Sequence, residues 1–407
     1  MTDGQPAYGA GAAVTTGLLL TLALQSAVGP FATDMYSPSF PQVAEGLSTS
    51  SSMVGFTLTA FFAGMGFGQV IGGVVSDQVG RRRPLVVGGV VCTLGAIGCV
   101  LAPTVGWLIA ARLFQGLGGG AAFAVARAVA VDRARGDQLA KVLTLLGAIG
   151  GFGPMIAPVL GGVIASVADW RMVFWALVGL GLAMVVTALA VVRESLPPER
   201  RHAGGLRRMI GGVGTVMGNR VFVGYLILNC CSGAAMFAYI TDSSYVLQGI
   251  VGLSPLAFSL VFAANAALNM VLSFVNASMV GRRRPRTLIR FGLTVAGSGV
   301  VLLAAGVFGL GTAWLPVCAG FALLVGGQAF IFGNSNALAL GTARAAAGTA
   351  AALSGLISAL VNSAVAPVAT IGGGVSAVPM VTVMIVGAVG AWVTFTLVGR
   401  VEVAPDE

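Results

Sequence analysis

Long apolar stretches, broken by short polar links, fill most of this 407-residue chain. Stretches such as VTTGLLLTLALQSAVGPF and LVVGGVVCTLGAIGCVLAP carry no charge over close to the ~20 residues that cross a hydrocarbon layer. Set against the polar breaks, the pattern predicts twelve helices. Six fall at 13–36, 52–76, 85–102, 106–131, 140–166 and 171–192. Six more fall at 221–241, 255–279, 287–309, 313–338, 347–371 and 378–399. The polar link 193–220 separates a first six-helix half, 13–192, from a second, 221–399. The predicted fold class is an all-α integral membrane protein built from two six-helix halves.

Composition supports the same class. Hydrophobic residues make up 57% of the chain and charged residues 9%, against roughly a quarter charged in soluble domains. The net charge of +9 and pI near 10.1 would suggest nucleic acid for a soluble protein. Here the cations sit in short links, where they orient helices instead. They gather at Arg81–Arg83, at Arg133, Arg135 and Lys141, in the central link, at Arg282–Arg284 with Arg286, at Arg344 and at Arg400. These are alternate loops. The loops between them hold Glu45, Asp169, Asp242 and one cation, Arg171. The positive-inside rule then puts both termini in the cytoplasm. Heavy arginine, alanine and glycine usage hints at a GC-rich bacterial source, and so at the bacterial cytoplasmic membrane. The N-terminus lacks the cationic start of a cleaved leader, so the first apolar stretch is expected to stay as a helix.

Catalytic chemistry finds little support. The five cysteines, Cys92, Cys99, Cys230, Cys231 and Cys318, lie inside apolar stretches without metal-ligand spacing. The single histidine, His202, stands alone in the central link. Intramembrane acids are too few for paired acid–base work. Neither an enzyme nor a metal site is expected.

The word GRRRP occurs at Gly80–Pro84 and again at Gly281–Pro285, at the same place in each half. The first copy reads GGVVSDQVGRRRP and the second has Ser278 where the first has Asp77. The first stretch resembles the loop signature of the major facilitator superfamily, with Gly73, Asp77, Gly80, Arg81 and Arg82 at matching positions. RLFQGLGGGAAFAVARAVAVD and GAIGGFGPMIAPVLGG resemble the fourth- and fifth-helix motifs of its proton-coupled drug exporters, and FATDMYSPSFP the end of their first helix. The chain is most similar to the bicyclomycin-resistance branch, which includes chloramphenicol-type exporters; FAYITDSSYVLQ also resembles that branch.

The resemblance implies a fold of two related halves and proton-driven export of small molecules. It implies a gate at the cytoplasmic end in which Asp77 and Arg81 pair with Asp132 while Asp77 faces the start of helix 11. Ser278 cannot take the charged role, so the second GRRRP is expected to orient the chain without clamping it. A pure topology role for both copies is the alternative. Gly64, Gly68 and Gly72, and Gly116 and Gly120, recur every four residues and predict close helix packing. In the fifth-helix motif, Gly153, Gly161 and Gly162 offer small faces, and Pro154 and Pro158 each remove a backbone donor and bend the helix.

Charges inside the predicted helices are rare and so informative. Arg112 sits well inside helix 4 with Gln115 on the same face. Asp34 is either a solvated loop acid or, as the resemblance implies, the carboxylate that carries the coupled proton into the cavity. Such a group needs burial to hold a proton near neutral pH, and approach of Arg112 would expel it. Tyr36 follows Asp34 in the same motif, and it and Gln115 are expected to line the substrate cavity. Asn229 and Tyr239 on helix 7, Asn265 and Asn269 on helix 8, and Ser358 and Asn362 on helix 11 either bond neighbouring helices or line an apolar pocket. With Asp34 as the one cavity acid, neutral substrates such as phenicols or bicyclomycin are expected. The expected partners are a small drug, protons and the bilayer, with no nucleic acid, no cofactor beyond the proton gradient, and a monomeric chain. A permease or exporter for a metabolite is the alternative within transport, and a membrane sensor the alternative outside it.

Overall fold

Apolar stretches of this length must satisfy every backbone group internally, which leaves the helix as the solution for a chain of this pattern. The computed structural model describes residues 15–134, 136–201, 213–309, 312–343, 347–373 and 375–403. Its first half contains α1 (Thr16–Asp34), α2 (Ser51–Val79), α3 (Arg82–Val100), α4 (Val105–Arg133), α5 (Gly136–Val167) and α6 (Arg171–Val191). The second contains α7 (Arg220–Ser244), α8 (Pro255–Met279), α9 (Pro285–Gly309), α10 (Trp314–Thr342), α11 (Ala347–Ala369) and α12 (Val378–Val403). Among the described residues, eleven segments are long and apolar enough to cross a membrane, and the apolar part of α5, Phe152–Val167, is a shorter twelfth. Arg135, His202 and Arg344 lie outside the described residues, and of Lys141 and Arg400 only the backbone is described.

Local chemistry sets the helix starts. Thr15, Ser50, Thr104, Asn219 and Ser254 each accept a hydrogen bond from an otherwise unpaired N–H of the first turn, and Pro255 follows Ser254 where no donor is needed. Two helix ends depart from expectation. The first span does not stop at 36: a 3-10 turn at Ser37–Ser39 leads into a short helix, Phe40–Gly46. The seventh does not stop at 241. It runs through Ser244 into a π-helical strap, Tyr245–Ile250, and Gly252 at φ +82° turns the chain beyond it. Asp242, expected in a loop, therefore lies inside α7 and is fully buried.

The glycine series place helices backbone to backbone. A side chain on Gly64 or Gly68 would strike the backbone of Leu113 or Leu117, and one on Gly116 or Gly120 would strike Phe61 or Met65, so α2 and α4 meet without side chains between them. In the second half Gly292 and Gly299 of α9 do the same against Gly327 and Gly320 of α10. The apolar core of the described residues is divided accordingly, with two clusters in each half. One residue crosses over: Tyr245, from the strap, is packed into the first half's cluster with Tyr36, Phe40 and Phe174.

Candidate functional site

Proline chemistry and helix ends create the seams between the halves. Pro367 has no N–H, which leaves the Ser363 carbonyl of α11 without its helical donor. Thr59 of α2 supplies one instead, its hydroxyl donating to Ser363 O at 2.5 Å. The last carbonyls of α11 also lack helical partners. Ser51 and Ser52, the first residues of α2, donate to Thr370 O at 2.6 Å and Pro367 O at 2.8 Å. Below this point α2 and α11 remain in contact as far as Gly66, opposite Ala359 and Leu356, whereas Gly73 and Gly355 face open space. A second seam brings Gly162 of α5 against Ser259 and Pro255 of α8. A third joins the α1 extension to the strap, where Tyr245 donates to Phe40 O at 3.3 Å and Gln248 to Pro38 O at 3.1 Å. These five cross-half hydrogen bonds all lie at the arginine-poor end. The halves are sealed there, and the described residues show no such seam at the arginine-rich end.

Asp34 ends α1 beside this seal, about 28 Å along the helix from Thr16 at 1.5 Å per residue. It is 6% exposed, which excludes the solvated-loop reading, and it accepts one hydrogen bond, from Thr33 Oγ1 at 3.1 Å. Tyr239 of α7 lies within its electrostatic reach. Gly153 and Gly161 of the fifth-helix motif make this placement possible, since a side chain at either would strike Pro30 or the Met35 backbone. Pro154 and Pro158 stand inside α5 between them.

Arg112 does not meet Asp34. It is fully enclosed in the first half, where Nη1 donates to Gln115 Oε1 at 2.7 Å and the guanidinium lies 4.3 Å from the Phe61 ring centre and 5.0 Å from that of Tyr36. Its Nε and Nη2 have no hydrogen-bond partner. The two are unpaired in this conformation, and the expected approach of Arg112 to Asp34 would belong to another. Tyr36 and Gln115, expected in the cavity, belong to this enclosed cluster, with Tyr36 bonded to Thr57 at 3.3 Å. The physical reason is the aromatic cage of Phe61, Tyr36 and Phe174, which solvates the cation where no carboxylate is available.

In the second half the interhelical reading holds for most polar residues. Ser335 donates to Asn229 Oδ1 at 2.6 Å, Asn265 to Tyr239 Oη at 3.2 Å and Asn269 to Val325 O at 2.7 Å. Tyr239 stacks on Phe262. Ser358 and Asn362 are only half-buried on α11; Ser358 touches Cys230, and Asn362 Oδ1 keeps an unused acceptor.

At the arginine-rich end the expected triad is assembled. Arg81 Nη1 bonds Asp77 Oδ1 at 2.6 Å and Ser76 Oγ at 2.7 Å, while its Nε bonds Asp132 Oδ2 at 3.0 Å. All three are in the first half, and the Asp77 side chain is 49% exposed. Its expected partner, the start of helix 11, falls largely outside the described residues. Gly80 takes φ +97°, a conformation other residues resist, and leads the chain onto a carboxylate that sequence reasoning missed. Glu194 of the central link accepts Arg81 N at 2.7 Å and Arg82 N at 3.2 Å, then Ser195 N and Leu196 N at 3.0 Å each. It thereby caps the start of α3, and Arg82 reaches back to Leu189 O at 2.8 Å. Nothing in the link's composition marked this residue. In the second copy Ser278 bonds its own helix at Val275 O, 2.7 Å away, and Arg282–Arg284 are exposed.

Partial burial raises the Glu194 carboxyl, but its four backbone donors together hold it below its ordinary value of 4.5. A depressed carboxyl contributes stability above its unfolded value and loses it as pH falls through the folded one. Glu194→Gln is therefore expected to lower the thermal midpoint at pH 7, with the gap to the parent closing as pH drops below about 4.5. Melting curves of the purified pair in detergent, across that range, check it; a gap independent of pH would mean that charge plays no part.

Two six-helix halves that meet along interhelical seams have the architecture of a membrane transporter. The chain belongs to the Major Facilitator Superfamily, whose family model matches residues 22–369. It is 34% identical over 281 residues to the uncharacterized MFS-type transporter YdgK of Bacillus subtilis, covering 69% of this chain and 70% of that one. It is 30% identical over 323 residues to the bicyclomycin resistance protein homolog of Haemophilus influenzae, covering 79% and 81%. Among solved structures, a peptide transporter in complex with alafosfalin superposes with a TM-score of 0.76 at 14% identity, covering 94% of each chain. The protein is a membrane transporter of this superfamily, not an enzyme.

Proposed function

We propose that this chain is a proton-coupled exporter of small, neutral drugs, of the phenicol or bicyclomycin type, in a bacterial cytoplasmic membrane. In this reading the arginine-rich end and both termini face the cytoplasm, the chain works as a monomer, and the proton gradient is the energy source without a cofactor. The observation that carries it is the buried Asp34 carboxyl, placed in the sealed region between the halves with a single hydrogen bond. A carboxyl so placed exchanges its proton when the seal opens, because opening replaces apolar walls with water. The half-buried polar groups of α11, Ser358 and Asn362, are uncharged, which suits a neutral ligand in a mostly apolar site. The similarity to a bicyclomycin-resistance homolog supports the same substrate class.

The test is drug accumulation in an efflux-deficient bacterial host, with and without this protein, using chloramphenicol, florfenicol and bicyclomycin. Expression is expected to lower accumulation of at least one, and an uncoupler to restore it. Unchanged accumulation, with the protein confirmed in the membrane, would discard these drugs and turn the reading to a metabolite exporter.

A further inference from the structure

The strap region holds a second acid that the export reading does not use. Asp242 is fully buried, and neither carboxylate oxygen has a hydrogen-bond partner. It sits one turn from both Tyr239 and Tyr245, and the backbone N–H of Tyr245 donates to its carbonyl. Tyr239 packs inward on Phe262 and Phe321 of the second half, while Tyr245 reaches Phe40 of the first. Asp242 thus lies where α7 passes from its own half to the seal. Three serine hydroxyls, Ser243 beside it and Ser37 and Ser39 on the α1 extension, are also buried without partners.

The placement is a counterpart of Asp34. Thr33–Asp34 and Thr241–Asp242 close the first helix of each half, and a tyrosine follows each, Tyr36 and Tyr245. Both threonines bond one turn back, Thr33 to Gly29 O at 3.0 Å and Thr241 to Phe237 O at 2.9 Å. The two tyrosines meet through Phe40, whose ring centre is 4.8 Å from one and 6.1 Å from the other. One difference stands out: Thr33 also bonds Asp34, whereas Asp242 receives nothing.

An ionised carboxylate without water, cation or donor is strongly disfavoured, while its protonated form is tolerated. The groups facing Asp242 supply no compensating charge. Among the described residues, Tyr245 on its own segment lies within its electrostatic reach, and Tyr239 stands one turn before it. Glu45 on the short helix is exposed, and Arg112 is enclosed against Tyr36. The ends of α8, α10, α11 and α12 at this seal carry no charged residue. We propose that Asp242 is a second proton site, loaded from the arginine-poor side while that side is open, and that its protonation permits the strap to close on the α1 extension. The step is a simple addition of one proton to one carboxylate oxygen, returned to water when the seal reopens. It deepens the export reading, on which its role in coupling rests, by giving proton binding a direct hold on the gate.

The test follows the seal rather than transport. Spin labels at Glu45→Cys and Val375→Cys, both exposed at this end, are introduced in a background whose native cysteines are replaced. Distances are measured by pulsed electron resonance on the full chain in lipid nanodiscs from acid to alkaline pH. The parent is expected to pass from a short distance at low pH to a longer one at high pH. Asp242→Asn is expected to lose that response and stay short, Asp34→Asn to retain it, and Asp242→Glu to retain it with a displaced midpoint. A parent without response, or Asp242→Asn responding as the parent does, overturns the proposal. Should Asp242→Asn fail to fold, a midpoint in Asp242→Glu equal to the parent's overturns it equally. A normal gate response in a chain that exports none of the drugs would sink the export reading and leave this site standing.

Discussion

Asp34→Asn is expected to abolish uphill drug export while leaving the protein folded in the membrane. Asparagine has the same shape and can still accept the Thr33 hydrogen bond at its amide oxygen, so the packing around residue 34 is conserved. What it lacks is a proton that comes and goes. Removing an ionisable group from a buried site with only one hydrogen bond leaves no unpaired charge behind, and the thermal midpoint should move by no more than about 2 °C. Drug accumulation should rise to that of cells without the protein. Substrate added to the purified parent in weak buffer should release protons, and substrate added to the variant should release none. An Asp34→Asn strain that stays fully resistant, with the protein present at parental level, would remove Asp34 from the coupling role. Drug binding without proton release in both proteins would remove coupling at this site altogether.

The absence of an Asp34–Arg112 pair changes what this experiment means. Were the two paired, loss of the carboxylate would leave a buried cation uncompensated and cost several kcal/mol, about 3–5 for a broken buried pair. Arg112 instead rests on aromatic faces and Gln115, apart from Asp34. Loss of function in Asp34→Asn can then be assigned to the proton and not to a collapse around the arginine.

The helices were legible because their signals are local. Uncharged stretches of the right length, and Thr15, Ser50, Thr104, Asn219 and Ser254 ahead of them, place most boundaries within a few residues. The Asp77–Arg81–Asp132 triad was legible through its motif. The seams were not. Thr59 finds Ser363 across 304 residues of sequence and Ser51 finds Thr370 across 319, and no local pattern marks which hydroxyl serves which freed carbonyl. Tyr36, Gln115, Asn229, Asn265 and Asn269 were ambiguous for a related reason. A polar side chain on a membrane helix looks the same in sequence whether it faces a cavity or a neighbouring helix. Asp242 was misplaced because the polar run TDSS resembles a loop, although the repeated Thr–Asp pair in each half was a signal available for it.

The seal itself makes the other large prediction. Gly162→Ala is expected to hold the arginine-poor end away from closure and to cut export about tenfold. A side chain at 162 would collide with Ser259 Oγ, would lie 2.7 Å from Ser259 Cβ and would approach Pro255 O at 3.0 Å. Overpacking of this kind costs about 1–3 kcal/mol, and a penalty confined to one conformation shifts the balance between the two by roughly 5- to 150-fold. Most of the collision is with one side chain, so Ser259→Gly in the same chain should recover much of the loss, less the cost of glycine inside α8, about 1 kcal/mol. Gly161→Ala has no such remedy, since its collision is with the backbone of Met35 on the α1 side. Labelling of a cysteine at position 39, buried in the seal when this end is closed, read together with export in a background without native cysteines, separates the cases. Gly162→Ala should expose the arginine-poor end, the double variant should protect it again, and export should follow protection. Recovery of neither in the double variant would mean that the α5–α8 contact is a by-product of closure and does not set it. Equal behaviour of Gly161→Ala and Gly162→Ala, both beyond rescue, would place the decisive contact within the first half, between α5 and the end of α1.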